Sequence, residues 1–480
     1  MLEKLIETVS PKWAAERAHY RKVKASYEGA ESSRTRSVSV SSGSPNQLTS
    51  RSATRLRDQA RDLERNYDIA RGALDVLVAN VVGTGVRPEP QIRLNSGELA
   101  TDINEQILEL WEDWAHKPEV TWTHDLYGMQ RLACRAWLRD GEVFGQLITG
   151  RRGNLDHGTR VPYSIELIES DWVPFSVNEP NVIQGIVVND WGRPRAYWVH
   201  KMHPNDLIGM GDLKRVESDR MIHLALRDRI RQMRGVTAFA SVINRLKDIK
   251  DIEESERVAA RVAANMAGYI KKGEPGMYGQ AGTGMYGQAG TGSDASEYRE
   301  IDWEPGIIFD DLRPGEEVGT IGSQRPNNAL IPFRDSQLRA FAAGVGAGFS
   351  STSKNYNGTF SAQRQELVEQ HQHYGVLHGQ FVAQFHRPIY ERFIDAVLTE
   401  IPTNDLDQGT IYNASHSRPV MPWVDPVKEA KALEIMRDRG WKSDSQIVRE
   451  RGESFQRTTD QIKRDQQYKS DNEVIDEESN

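Results

Sequence analysis

The sequence predicts a mainly helical α+β chain, on three observations. Several long stretches carry apolar residues at helical spacing. The block between Glu142 and Leu224 breaks into short β-branched and aromatic runs, and Val236 to Ile270 offers about 35 residues with no proline and no glycine before Gly268.

The first helical stretch runs from Ala53 to Val82, with Leu56, Leu63, Ile69, Ala70, Ala73, Leu74 and Leu77 on one face. Gly83-Thr84-Gly85 stops it, and Pro88 and Pro90 force an extended exit. Asn104 to Ala115 and Leu126 to Arg139 are two further helices, whose tryptophans and Cys134 read as packing residues. Val143 to Ile148, Ser164 to Ile168, Ile183 to Val188, Ala196 to Val199 and Met221 to Leu224 then form a small antiparallel sheet. Turns such as Asn189-Asp190 and Gly192-Arg193-Pro194 separate its strands.

Val236 to Ile270 would be a single rod of roughly 50 Å at 1.5 Å per residue. Val236, Phe239, Ile243 and Leu246 lie close to a heptad seam, and Ala259 to Ala264 is rich in small residues, so the rod is expected to pack against identical copies. An octapeptide at Gly276 to Thr283 is repeated at Gly284 to Thr291; two copies are too few for a solenoid and read as a loop. Trp303 to Pro332 follows as short strands and turns, and Phe333 to Ala343 as a helix. The loop Ser350 to Gly358 precedes a long helix, Phe360 to Leu398, which Pro388 can kink by removing one hydrogen bond. The segment Pro426 to Gln467 reads as charged helix, closed by an acidic solvated tail.

Composition limits the chemistry. The 480 residues include 61 basic against 69 acidic side chains, a formal net charge of −8, so the chain lacks the cationic excess of a protein that grips phosphates along its length. The single cysteine, Cys134, cannot close an internal disulfide. Apolar runs such as Ala73 to Val82 are too short to cross a membrane, and the opening MLEKLIETVSPKW has no apolar leader core, so the expectation is a soluble protein made inside a cell. Residues 1–55 read as an extended arm. With eleven basic and six acidic groups over residues 1–60, the arm is either a solvated tail or a contact with a partner or nucleic acid.

Catalytic patterns are weak. Gly344, Gly346 and Gly348 follow a helix rather than a strand, which argues against a dinucleotide site, and no Walker-type sequence is present. His371, His373 and His378 lack metal-ligand spacing and are read as surface histidines. Asp310, Asp311, Asp405 and Asp407 read as turn residues, with a metal-dependent nuclease as the alternative reading of the first three. No catalytic residue, metal or cofactor is expected.

The ordered residues resemble the portal proteins of lambda-like tailed bacteriophages. The resemblance is carried by Arg61-Asp62-Leu63-Glu64-Arg65-Asn66, Asn80 to Gly85, Tyr127-Gly128 with Gln130-Arg131-Leu132, and Asp140-Gly141-Glu142-Val143-Phe144. It continues through Gly192-Arg193-Pro194, Arg234-Gly235-Val236, Pro314-Gly315-Glu316, Asn355-Tyr356 with Ser361 and Arg364, and Trp423 to Ala430. It implies a ring, usually of twelve copies, at one vertex of a virion. Through that ring a separate terminase drives double-stranded DNA, and a head–tail adaptor later docks on it.

By this resemblance residues 1–55 are the arm, 56–235 the wing, 236–270 the stem helix and 271–332 the clip. Residues 333–346 are a second stem helix, 347–359 the channel loop, 360–425 a long kinked helix and connection, and 426–480 the crown and acidic tail. It implies that Lys354, Asn355, Tyr356 and Asn357 lie nearest the DNA; the alternative is that this loop only connects helices. Val236, Phe239, Ile243, Leu246, Ala259 and Ala263 would pack between copies, and Met277, Tyr278, Met285 and Tyr286 would meet a partner at the clip. Expected partners are further copies of the chain, the terminase large subunit, major capsid and scaffold proteins, the adaptor and double-stranded DNA, with no membrane. A tail adaptor or scaffold is the remaining alternative.

Overall fold

The computed structural model describes residues 43–150, 155–206, 212–265, 269–272, 316–319, 329–399, 401–420, 425–453 and 455–478, with side chains left out at 262–272, 316–319 and 471–478. The first helix, α1 (Pro45–Asn66), begins eight residues earlier than the sequence suggests. Ser44 caps it by accepting from the Gln47 amide at 3.2 Å, and Pro45 fits the first turn, where no N–H partner is needed. Thr49 and Ala53 are buried, so this part of the expected arm belongs to the folded body. The single long helix also divides. Tyr67 is extended (φ −142°, ψ 116°) and separates α1 from α2 (Asp68–Val81), while its hydroxyl reaches Glu253 at 3.3 Å.

The strand β1 (Pro88–Pro90) leads to α3 (Thr101–Ala115) and α4 (Leu126–Asp140), and from there the chain enters two sheets rather than one. The three-stranded sheet, in order β3-β2-β8, joins β2 (Glu142–Thr149), β3 (Tyr163–Ile168) and β8 (Met221–Ala225). The second runs β4 (Val182–Ile183), β5 (Ile186–Val188), β6 (Pro194–His200) and β7 (Leu213–Glu217) in chain order. The run read as one strand at Ile183 to Val188 is therefore a hairpin. Gln184 and Gly185 both have positive φ there, and β7 carries too many charges to show an apolar run.

A buried ion pair locks these sheets together. Arg234 is 0% exposed, and its Nε donates to Glu142 Oε1 at 2.7 Å. Its remaining N–H groups reach the carbonyls of Val173, Gln184 and Ser170 at 2.9–3.1 Å. The second oxygen of Glu142 takes the Gly235 amide at 2.9 Å and contacts His223 at 3.0 Å. Backbone meets backbone at the same place. A Cβ on Gly235 would lie 2.0 Å from the Gly141 carbonyl oxygen, and one on Gly141, which also has φ +92°, would lie 2.4 Å from Val236. Neither position has room for another residue.

Past this lock, α5 (Ile243–Asn265) has 23 residues, roughly 35 Å, and not the expected 35 residues. Residues 236–242 form turns instead. Tyr269–Lys272 (β9) pairs antiparallel with Glu316–Gly319 (β10). Helix α6 (Leu330–Val345), short α7 (Phe349–Ser353) and long α8 (Phe360–Phe381) follow. A π-helical turn at Val382–His386 leads α8 into α9 (Arg387–Val397), so the interruption lies ahead of Pro388 and includes the i−4 position that proline leaves unbonded. The strand β11 (Ala414–His416) pairs with β1, and α10 (Pro426–Asp438), α11 (Asp444–Glu450) and α12 (Phe455–Glu478) end the chain. The acidic tail thus continues as helix to Glu478.

The main core gathers α1 to α4, α5, α6, α8 and α9. Trp111 and Trp114 anchor it. Trp114 stacks on Tyr163 at 4.9 Å and donates to its carbonyl at 2.7 Å, while Trp111 meets Phe393 edge-on. Cys134 is buried, as expected, and burial pushes its thiol up, away from reactivity. Replacing Arg234 by Ala leaves Glu142 buried without its cation. It is expected to lower the stability of the body formed by the two sheets and α1 to α4 by about 3–5 kcal/mol, read as a lower urea midpoint by tryptophan fluorescence.

Candidate functional site

The loop between α6 and α8 is built by pins at both ends. Gly346 ends α6 in the left-handed region (φ +76°), and a Cβ there would lie 2.3 Å from the His373 ring. The Gly348 amide donates to the Tyr374 hydroxyl at 3.2 Å. Glu366, the seventh residue of α8, then reaches back to the start of α7, accepting from the Ser350 amide at 3.0 Å and from its hydroxyl at 2.6 Å. At the other end Thr359 caps α8, and Gln363 donates to the Tyr356 carbonyl.

Between these pins Lys354 adopts φ +56°, a left-handed conformation that turns the chain out of α7. Asn355 fixes the turn. Its Oδ1 accepts from the Asn357 amide at 3.1 Å, and its Nδ2 donates to Asp335 on α6 at 3.3 Å. Lys354, Tyr356 and Asn357 are exposed, Tyr356 by 58%, with Phe360 beside them at 61%. The expected loop Ser350 to Gly358 is thus half helix and half tight turn. It presents an ammonium, an amide and a phenol from a fixed base, a donor set suited to phosphate and sugar oxygens.

The remaining expected site residues fall elsewhere. Phe239, Ile243 and Leu246 are buried at 0–2% exposure in the chain's own core, where Phe239 packs on Phe341 of α6 at 6.2 Å. They are therefore not available to a neighbouring copy: the apolar spacing marks the contact between α5 and α6 of one chain. Val236 is half-buried in the turn before α5, and Ala259 is half-buried on α5. The side chain of Ala263 lies outside the described residues, as do Met277, Tyr278, Met285, Tyr286, Asp310 and Asp311. Asp405 is an exposed turn residue whose carbonyl takes the Asn95 amide, and Asp407 accepts from the Gly409 amide at 2.9 Å. His373 is exposed, but His378 is buried, its Nδ1 2.8 Å from the Val81 carbonyl, which corrects its reading as a surface residue.

The sequence reading missed Glu366, Asp335 and Tyr374, whose roles depend on how α6 and α8 fold against the loop. It also missed one acidic group. Glu169, Asp171 and His203 bring their ligand atoms within 4.8 Å of one another. Arg57 and Arg61 pair with Asp171 at 2.7 and 2.8 Å, however, and Arg61 approaches Glu169 at 3.6 Å, so arginine supplies the positive charge there. Among the described residues no helix is long and apolar enough to cross a membrane.

The loop between α6 and α8 is thus pinned at both ends, exposed and cation-bearing. Comparison with known families gives the class of the protein: the chain matches the phage portal proteins of the lambda family over residues 31–377 and belongs to that family. Its place is the virion. The probable portal protein of Halomonas phage phiHAP-1 is 21% identical, covering 83% of this chain and 77% of that protein. Two solved structures also align. One is the neck of a native gene transfer agent particle computed with C12 symmetry (10% identity, 80% of this chain, 91% of that chain, TM-score 0.46). The other is the virion of a native gene transfer agent particle (10%, 84%, 97%, 0.47).

Replacing Glu366 by Ala removes both bonds to Ser350 and is expected to cost about 1–2 kcal/mol locally. The loop amides from Ser350 to Asn357 should then exchange hydrogen about tenfold faster by mass spectrometry, with the exchange of β2 unchanged.

Proposed function

We propose that copies of this chain, expected to number twelve, close into a ring at one capsid vertex and form the channel through which double-stranded DNA enters and leaves the head. The observation that carries this reading is the lambda-family match across residues 31–377. The pinned loop supports it physically. A ring brings one Lys354 per copy toward a common axis, and a short-lived contact between each ammonium and a passing phosphate guides the duplex without holding it. The net charge of −8 fits the same use, because a strongly basic bore would retain DNA by counterion release.

In this reading the chain has no covalent chemistry of its own. The terminase large subunit supplies the motor, major capsid and scaffold proteins surround the wing, and the head–tail adaptor docks at the clip through the segment containing Met277, Tyr278, Met285 and Tyr286.

Contacts between copies fall on the faces that one chain leaves open. On α5 that face holds Asp248, Asp251, Ile252, Ser255 and Val258, extended by half-buried Ala259 and, in sequence, by Ala263. On α6 it holds Phe333, Ser336, Arg339, Ala340 and Ala343. One face offers acids and small residues, and the other an arginine and small residues, as a head-to-tail ring contact requires.

Lys354→Ala is expected to leave rings intact by electron microscopy and to reduce packaged DNA several-fold in a terminase-driven assay; normal packaging removes Lys354 from the channel. Ala340→Glu, on the open face of α6, is expected to lower ring yield at least tenfold by size-exclusion chromatography while monomer circular dichroism stays unchanged.

A further inference from the structure

Where the crown helices meet the wing, α11 and α12 lie across α3 and the β1–β11 pair on a few polar contacts. Arg449 pairs with Glu89 at 2.8 Å, Arg457 with Glu112 at 2.6 Å, and Gln456 bonds Glu105 at 2.7 Å. Beneath them is a cavity of about 450 Å³ whose lining includes Trp111, Tyr127, His416 and Ile462.

Three polar atoms at and behind its floor are buried without a hydrogen-bond partner, His416 Nδ1, His386 Nε2 and Tyr390 Oη, and a fourth, Trp111 Nε1, has only a loose approach to Tyr127. Their rings form one cage. His386 lies 5.0 Å from His416 and 5.7 Å from Trp111, and Tyr390 lies 6.1 Å from His416 and 5.9 Å from Trp111. The tautomer of His386 follows from its neighbour. Gln130 commits its oxygen to the Val86 amide at 2.7 Å, so its NH₂ is the group 3.1 Å from His386 Nδ1. That nitrogen accepts, and the proton of a neutral His386 sits on Nε2, the buried nitrogen without a partner. The π-helical turn at Val382–His386 re-aims the helix at this residue.

We propose that these four atoms hold bound water at the floor of the cavity, and that the cluster is an acid-sensitive joint: a proton taken up at His386 or His416 parts β11 from β1 and releases the crown helices from the wing. Donors (His386 Nε2–H, Trp111 Nε1–H) and acceptors (His416 Nδ1, Tyr390 Oη) are both present, as one water with three or four partners needs. A second proton on His386 would sit on Nδ1 against the Gln130 NH₂ at 3.1 Å, and one on His416 Nδ1 would remove an acceptor from the water and leave a buried charge. The cations nearest the cluster are Arg387 on α9 and Arg418 just past β11, with His378 on α8. Arg87 adds another at the cavity wall. Of the carboxylates, Glu89 and Glu112 are engaged by arginines, and Glu453 accepts from Thr458. Burial first, and then Arg387 and His378, push His416 down to about 4, and burial first, then His416 and His378, hold His386 well below the ordinary imidazole value.

The sign follows. Above pH 6.5 both the closed and the open joint hold neutral imidazoles and the balance is independent of pH. Below 6.5 only the open joint takes up the proton, so closure weakens by up to tenfold per pH unit for each histidine, until the closed form itself titrates. The joint matters because His416 sits in the strand register opposite Pro88, and the next residue, Ser417, exchanges bonds with Arg87.

The test is hydrogen exchange on the full-length protein at pH 7.5 and 5.5, corrected for intrinsic rates, at the Gln91 and Ser417 amides that cross the joint. Opening is expected to rise about tenfold for each histidine at the lower pH, up to about a hundredfold in all, and His416→Asn is expected to cut the rise to about tenfold. Unchanged protection between the two pH values, or the same rise in His416→Asn, overturns the proposal. Exchange at the imidazole C2 hydrogen, followed by mass spectrometry, needs no variant. A midpoint for His416 below pH 5 supports the joint, and one near 6.5 overturns it. Neither readout depends on ring assembly or on DNA, so the outcome is separate from that of the proposed function.

Discussion

The rest of the structure depends on the buried pair between Arg234 and Glu142. Moving two such ions out of water costs several kcal/mol each, which their mutual attraction offsets only if every remaining hydrogen-bonding group is also satisfied. Here Arg234 directs its donors to Glu142, to two carbonyls of the segment joining the two sheets and to one in the β4–β5 hairpin. Ser170 gives its hydroxyl proton to Glu142 at 2.6 Å and accepts from Arg57 at 2.7 Å, which carries the network to α1. From there Arg61 grips Asp140 at 2.7 Å, Arg139 joins Asp140 to Glu64, and Arg135 joins Glu64 to Asp75. One charged core therefore ties both sheets to α1, α2 and α4.

Its mechanical result is a fixed direction. Gly235 touches Gly141 so closely that the chain leaves β8 along one path, and α5 begins from a defined position. Helix α6 packs back on the turn before α5 through Phe341 and Phe239, and on α5 itself through the Arg334–Glu253 ion pair, and α8 pins the loop that α6 delivers. The exposed Lys354 thus stands at the end of a chain of contacts reaching back to the two sheets. A loop placed this way can sit at the same height in every copy, which a guide for a passing polymer requires and a mobile connector does not supply.

Much of this was legible in the sequence, and the failures have physical reasons. Helices α3 and α4 and most strands stood out because their apolar spacing matches one period and their ends carry turn residues. The Asp140-Gly141-Glu142 and Arg234-Gly235-Val236 motifs were visible as separate words. Nothing in a linear chain says that they interlock, since the contact spans 92 positions. The stem seam was misassigned for a related reason: spacing shows that a face is apolar, not whether the covering partner is another copy or, as with Phe239, Ile243 and Leu246, the same chain. The start of α1 was hidden because a serine-rich composition outweighed the local Ser44-Pro45 signal, and the break at Tyr67 because an aromatic residue fits either state. In the loop, Lys354 to Asn357 could be singled out, but Glu366 and Asp335, which hold it, could not, because their roles exist only once three helices are assembled.

The most direct test of the central claim is a native mass measurement of the purified full-length protein across a range of concentrations. A chain that builds a channel from identical copies gives one closed assembly at an integral multiple of the 54.3 kDa subunit, with twelve the expected multiple and a central hole by electron microscopy. A species that stays at one subunit mass at every concentration, even with capsid and motor components present, contradicts the account.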